Sequence, residues 1–240
     1  MPSTVPAPIR RVLLLGALAA QPWSTLAAQS SGGTFSVPLS FQVGVPQGEF
    51  AENVEVSWGF GLGGMWMVND YLGLRAGFDL AIYGHDRRRI SVPAGAAGTI
   101  DLDISTTNAI AGFNLGGQLG VPGPGIRPYV GGLIGISNFS TRTTASGTDS
   151  DDDPVASTTN SSDNAFSKIA IGGLYIPMGS SGTVLDLGVR YAWNGESVRY
   201  LTRGDISEDA GGNVVLNPRE TRADLLTIVI GVSFGRRRAR

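Results

Sequence analysis

The sequence predicts an all-β chain, an eight-stranded antiparallel up-and-down β-barrel that spans a membrane and is preceded by a signal peptide. Three observations carry this expectation. Beyond residue 34, apolar residues recur at every second position through long stretches, the period of a strand and not of a helix. The composition is 42% hydrophobic and only 16% charged, with 35 glycines, whereas ordinary soluble domains carry roughly 25% charge. From Gln29 onward no apolar run reaches the roughly 20 residues that a spanning helix needs. A chain that crosses lipid without helices must close into a barrel, because hydrocarbon offers no partner to unpaired backbone groups.

Residues 1–28 read as a secretory signal. Arg10 and Arg11 form its basic start, Val12 to Ala20 (VLLLGALAA) its apolar centre, and Thr25 to Ala28 supply small residues for cleavage near Ala27 or Ala28. Residues 29–234 then form the barrel and residues 235–240 a basic tail. In the first strand Phe35, Val37, Leu39, Phe41, Val43 and Val45 alternate with Ser36, Pro38, Ser40, Gln42 and Gly44. Pro38 fits a strand end or an unpaired position. The second strand, Val54 to Val68, puts Val54, Val56, Trp58, Phe60, Leu62, Trp66 and Val68 on one face. After a tight turn at Asn69-Asp70, the third runs to Ile82 with Leu72, Leu74, Phe78 and Leu80 opposite Gly73, Arg75, Gly77 and Asp79. The fourth covers Ser105 to Val121, and a bulge near Thr106–Asn108 would reconcile its two halves. The fifth is Ile126 to Phe139 and the sixth about Ala165 to Ile176. In the seventh, Leu185, Leu187, Val189, Tyr191 and Trp193 alternate with Asp186, Gly188 and Arg190. The eighth is Arg222 to Phe234.

The connections alternate in length. Residues 69–71, 122–125 and 178–183 are short; 85–99, 140–164 and 195–221 are long and polar; 46–53 is intermediate. Outer-membrane barrels have short periplasmic turns and longer external loops. The strong face is Leu, Ile, Val, Phe and Trp; the weak face is Gly, Ser, Ala and a few ions. A soluble ligand-binding barrel would carry many charges outside, and the weak face is too sparse in charge for that. The expected orientation is therefore apolar side chains into lipid and small or charged ones inside. Eight strands leave just enough room for side chains to fill the bore. The expected interior charges are Glu55, Arg75, Asp79, Asp186 and Arg190, with Lys168 and Arg127 as further candidates, paired because lone buried charges are costly. Trp58, Trp66, Tyr71, Tyr191 and Trp193 are candidates for interfacial girdles.

Two stretches resemble a known family. Arg127-Pro128-Tyr129-Val130-Gly131-Gly132 resembles the Arg-Pro-Tyr-Val-Gly stretch on a middle strand of the small OmpA-, OmpX- and OmpW-like outer-membrane barrels, often labelled porin-family. The last strand, with Leu226, Ile228, Ile230, Val232 and Phe234 on one face, resembles the family's aromatic-ended final strand, which the barrel-assembly machinery reads. Here GRRRAR follows, placing Phe234 six residues from the end. The resemblance covers residues 34–234. It implies a bacterial outer-membrane location, outer-membrane lipid and the assembly machinery as partners, a monomer, and no cofactor.

Other motifs are weaker. Gly59 to Gly64 matches G-x-G-x-x-G, but inside a strand and without a following helix, so nucleotide binding is not expected. Asp149, Asp151, Asp152 and Asp153 resemble a calcium loop, yet Pro154 and Asn160 stand where Gly and Glu belong. With no cysteine, disulfides and Cys metal sites are excluded, and a net charge of −2 argues against nucleic acid. Arg87, Arg88 and Arg89 suit lipid phosphates or a solvated loop. His85, the only histidine, beside Asp86 is the sole hint of a lipid-A-modifying enzyme. The expectation is a non-enzymatic barrel with a structural, surface-contact or minor solute-passage role, against a lipid-modifying barrel enzyme or a secreted soluble barrel.

Overall fold

The computed structural model describes residues 34–93, 99–147, 154–179, 182–202, 205–208 and 214–235. The signal-sequence reading of residues 1–28, the acidic cluster 149–153 and residues 236–240 of the tail lie outside them. Seven long strands follow one another: β1 (Thr34–Pro46), β2 (Ser57–Met67), β3 (Leu72–Pro93), β4 (Thr99–Gly120), β5 (Arg127–Gly147), β6 (Pro154–Met178) and β7 (Thr183–Asn194). Four short strands come next, β8 (Val198–Tyr200), β9 (Ile206–Glu208), β10 (Val214–Leu216) and β11 (Arg219–Thr221), before β12 (Leu225–Gly235). Each long strand pairs antiparallel with its neighbour, and β12 returns to β1, so β1–β7 and β12 close an eight-membered barrel.

The large apolar side chains point outward. Phe41, Phe60, Leu62, Phe78, Phe113, Ile136 and Ile230 are all exposed, while Gln42, Asn114, Gln118 and Asp186 are buried on the other face. This orientation overturns the soluble-barrel alternative, which needs the apolar face inside. Trp58 and Trp193 sit outward near the long-loop end, and Trp66 and Tyr71 near the short-turn end. The turn between β2 and β3 is legible in its residues: Asn69 Oδ1 accepts from the N–H groups of Tyr71 (2.9 Å) and Leu72 (2.7 Å), the local bonding that favours Asn in turns. Pro38 lies where the β1/β2 ladder skips from Ser36 to Leu39, so its missing N–H breaks no bond.

Three expectations need correction. First, β3, β4, β5 and β6 continue well past the barrel wall, so stretches 85–99 and 140–164 are largely strand, not loop. Second, the register shift lies at Tyr83 on β3, between Ile82 and Gly84, and not at Thr106–Asn108 on β4. Third, 195–221 holds two small ladders, β8/β11 and β9/β10.

Beyond Tyr83 the extra residue exchanges the two faces of β3. Gly84, Asp86 and Arg88 line the barrel mouth, while Arg87 and Arg89 both bond Asp103 on β4, at 2.7 and 3.0 Å.

Ile230 is the middle of the five outward residues of β12. Replacing it with Arg is expected to lower the unfolding free energy by about 2–4 kcal/mol, the cost of a cation at mid-bilayer on a lipid face. Urea unfolding in lipid vesicles measures this.

Candidate functional site

The strands together build a bore rich in polar and charged side chains, and it is filled in layers. At the external end an aromatic plug closes it. Phe50 enters from a short 3-10 turn (Gly48–Glu52) between β1 and β2. Its ring meets Tyr200 at 5.1 Å, Tyr83 at 5.9 Å and Phe139 at 6.1 Å, edge-on or tilted, as aromatic quadrupoles prefer. Val198 and Leu201 are fully buried beside them. Gly195 (φ 67°) turns the chain after β7 with a backbone that other residues resist, sending β8 inward. Phe50 and Tyr200 are the residues sequence reasoning missed; lone aromatics inside polar loops were the available signal.

Below the plug, Ser137, Ser167 and Asn194 form a hydroxyl–amide layer. Ser167 Oγ donates to Asn194 Oδ1 (2.6 Å), and Asn194 Nδ2 donates to the Ala223 carbonyl (2.7 Å). The next layer centres on Asp79. Its carboxylate accepts from Arg190 (2.8 Å), Gln42 (2.6 Å) and Asn114 (2.6 Å). The lowest layer centres on Asp186, which accepts from the Tyr129 phenol (2.7 Å) and pairs with Arg75 at 3.7 Å. Tyr129 stacks on Tyr175 at 4.4 Å, and Tyr175 donates to Gln118 (3.1 Å). The weak-face glycines make this possible. A Cβ at Gly61 would collide with Gln42 and Asp79, and one at Gly188 with the Tyr129 hydroxyl.

Four of the five expected interior charges thus form two pairs, Arg190–Asp79 and Arg75–Asp186. Glu55 does not join them: it is exposed in the segment before β2, because Phe50 and Val54 take the inward places there. Arg127 is half-buried at the short-turn end. Lys168 is not interior; it is exposed on the outer face of β6. The bore also holds larger apolar groups than expected, including Leu133, Ile169 and Ile171.

Above the plug lies an open cavity of about 410 Å³, walled by Asp86, Arg88, Thr106, Asn108 and Glu55 with Tyr83 among its lining. His85 Nδ1 meets Thr107 Oγ1 at 3.1 Å, and strand alternation sends the Asp86 side chain to the opposite face. Among the described residues no cluster of three metal-ligating side chains occurs.

A family model described as "Outer membrane protein beta-barrel domain" matches residues 12–235. The chain belongs to this family. It is a β-barrel of the bacterial outer membrane. The barrel is similar to the crystal structure of Neisserial surface protein A, at 14% identity over 85% of this chain and 99% of that one, TM-score 0.46. A major outer membrane protein from Thermus thermophilus gives 14% identity, 85% and 99% coverage and a TM-score of 0.45. OprG from Pseudomonas aeruginosa gives 16%, 86% and 97%, and 0.40. Among curated proteins none matches the sequence.

Two outcomes follow from the geometry. Asp79→Leu alone leaves the Arg190 guanidinium buried without its anion, and is expected to cost about 3–5 kcal/mol. Adding Arg190→Met should restore most of that, as read by urea unfolding in vesicles.

Asp205, in the external segment after β8, accepts from Thr202 N (2.8 Å), Thr202 Oγ1 (2.6 Å) and Arg219 (3.0 Å). Burial pushes this carboxyl up; the bonds from Arg219 and Thr202 outweigh it and hold it below the usual carboxylate range. A depressed folded value stabilises above the unfolded pKa of about 3.9 and is lost as pH falls through the folded one. Hydrogen-exchange protection of residues 198–202, corrected for the intrinsic pH dependence of amide exchange, should therefore be flat from neutrality to about pH 5 and fall below about pH 4. Asp205→Asn should remove that acid limb.

Proposed function

We propose that this barrel is a monomeric, non-conducting and non-enzymatic outer-membrane protein whose role is surface contact, the barrel serving as anchor for the sheet that stands above the membrane. The observation that supports this most is the filled bore. From Phe50 down to Tyr175 packed rings and bonded polar side chains occupy the bore, a filling that supports a non-conducting barrel.

The external sheet has the character of a contact platform. Past the membrane β3–β6 carry Thr106, Thr107, Ser140, Thr143, Thr144, Ser157 and Thr158, a hydroxyl-rich surface that is soluble yet rich in donors and acceptors. β2 pairs with β3 only as far as Ile82, so among the described residues β3 has no ladder partner on that edge above it. Arg87, Arg88 and Arg89 stand there, the charged residues that keep sheet edges from indiscriminate pairing. The geometry lends the lipid-modifying alternative little support: His85 meets the Thr107 hydroxyl, and the carboxylate on that face, Asp103, is taken by Arg87 and Arg89. Assembly would use the outward row Leu226, Ile228, Ile230, Val232 and Phe234 of β12, read by the barrel-assembly machinery.

The test is planar-bilayer conductance of the refolded protein. The expected record is a flat baseline with brief, small events. A steady opening on the nanosiemens scale would sink the proposal in favour of solute passage.

A further inference from the structure

β6 departs from the pattern of its neighbours. Its outward positions are Phe166, Lys168, Ala170, Gly172 and Leu174, while Ile169 and Ile171 turn inward. Lys168 is the only lysine of the chain. In the register it lies between Ile134 on β5 and Trp193 on β7, both outward and apolar. Among the described residues no carboxylate pairs with it. Asp224, at the external rim near Trp193, is held by Arg222 at 3.7 Å and Tyr191 at 3.5 Å. An ammonium facing hydrocarbon is tolerated only where it reaches an anion or the interface.

Its depth identifies the leaflet. Lys168 is two residues inside Phe166 and ten from Met178 at the periplasmic end. Ten residues span about 33 Å along a strand, or roughly 25 Å across the membrane at the usual barrel tilt. The apolar band of such barrels is about 25 Å tall, so Lys168 lies at its outer edge, level with the outer-leaflet headgroups.

Beneath it the barrel wall is bare. A groove of about 390 Å³ runs among Leu115, Gly132, Ile134, Lys168, Ala170 and Trp193. Its floor is Gly132 and Ala170, paired across β5 and β6, and Gly117, opposite Gly132 on β4, continues this outward row of small residues beyond it. The barrel's own packing does not require these glycines. A Cβ at Gly117 would meet nothing nearer than 3.8 Å, one at Gly132 nothing nearer than 3.9 Å, and one at Gly172 nothing nearer than 3.6 Å. By contrast, a Cβ on inward Gly116 or Gly131 would collide with the neighbouring backbone.

We propose that this groove is a specific site for one phosphorylated lipid of the outer leaflet, its phosphate on Lys168 and an acyl chain along the Gly117–Gly132–Ala170 strip. The unmatched cation calls for an anion, the depth for an outer-leaflet molecule, and the narrow bare strip for a flexible hydrocarbon chain. A second copy of the barrel fits less well. Among the described residues, the outward positions of its membrane-spanning strands carry no Asp or Glu to meet Lys168.

Native mass spectrometry of the full-length protein in detergent, titrated with diphosphorylated lipid A, tests this. One retained lipid is expected for the wild type. Lys168→Gln should weaken retention at least tenfold, while Lys168→Arg should keep it within about twofold, since either cation binds phosphate. Gly132→Leu, which fills the groove and leaves the charge, should also weaken it at least tenfold. Three results would overturn the site: retention by Lys168→Gln within twofold of wild type, equal retention of phosphatidylglycerol, or a dimer that Gly132→Leu dissociates. The last would give the groove to a second copy.

Discussion

Inside hydrocarbon every backbone N–H and C=O must find a partner on another strand, because there is no water to accept the remainder. For a chain whose described residues hold no helix able to cross a membrane, the demand is met only when the last strand returns to the first. Here that seam runs from Ser36 opposite Gly235 to Pro46 opposite Leu225. Closure fixes the alternation of every strand at once, since a slip by one residue would exchange lipid-facing and bore-facing side chains. The position of each ion and ring in the bore is a consequence of that single seam.

Closure also fixes how little space remains inside. Eight strands enclose a bore that side chains can fill, and the protein fills it with two kinds of matter. Below the plug a polar network is set among Leu133, Ile169 and Ile171, with each carboxylate given more than one donor: Asp79 has Arg190, Gln42 and Asn114, and Asp186 has Tyr129 and Arg75. The external end is a ring cluster around Phe50. Polar networks specify a unique arrangement only when fully satisfied, and the cluster above shields this one from external water. Occlusion and ion pairing are thus two aspects of the same packing.

How much of this was legible follows from where lipid acts on the sequence. Within the membrane, lipid enforces the period of two, so β1, β3, β7 and β12 could be read with their faces, and with them Arg75, Asp79, Asp186 and Arg190. Outside the membrane no lipid face exists. The Ser- and Thr-rich ends of β3 to β6 lose the alternation and read as loops, although their backbones remain paired. Glu55 shares the spacing of the second strand, but the ladder begins only at Ser57. From the sequence Lys168 is a further candidate for the bore, because β6 carries its weak side outward, and only the register with Ile134 and Trp193 reveals this.

The extra residue at Tyr83 has a reach beyond its own position. Because it lies between the spanning part of β3 and the part above, the membrane-facing pattern and the exterior pattern are out of phase across it. Excising this one residue would leave the transmembrane segment as it is and turn the upper blade of β3 inside out. Arg87 and Arg89 would swing toward the mouth and abandon Asp103, while Arg88 took the outer side. A single codon thus governs the phase of the whole exterior face of that strand, and lineages carrying or lacking it would display differently charged surfaces on the same anchor.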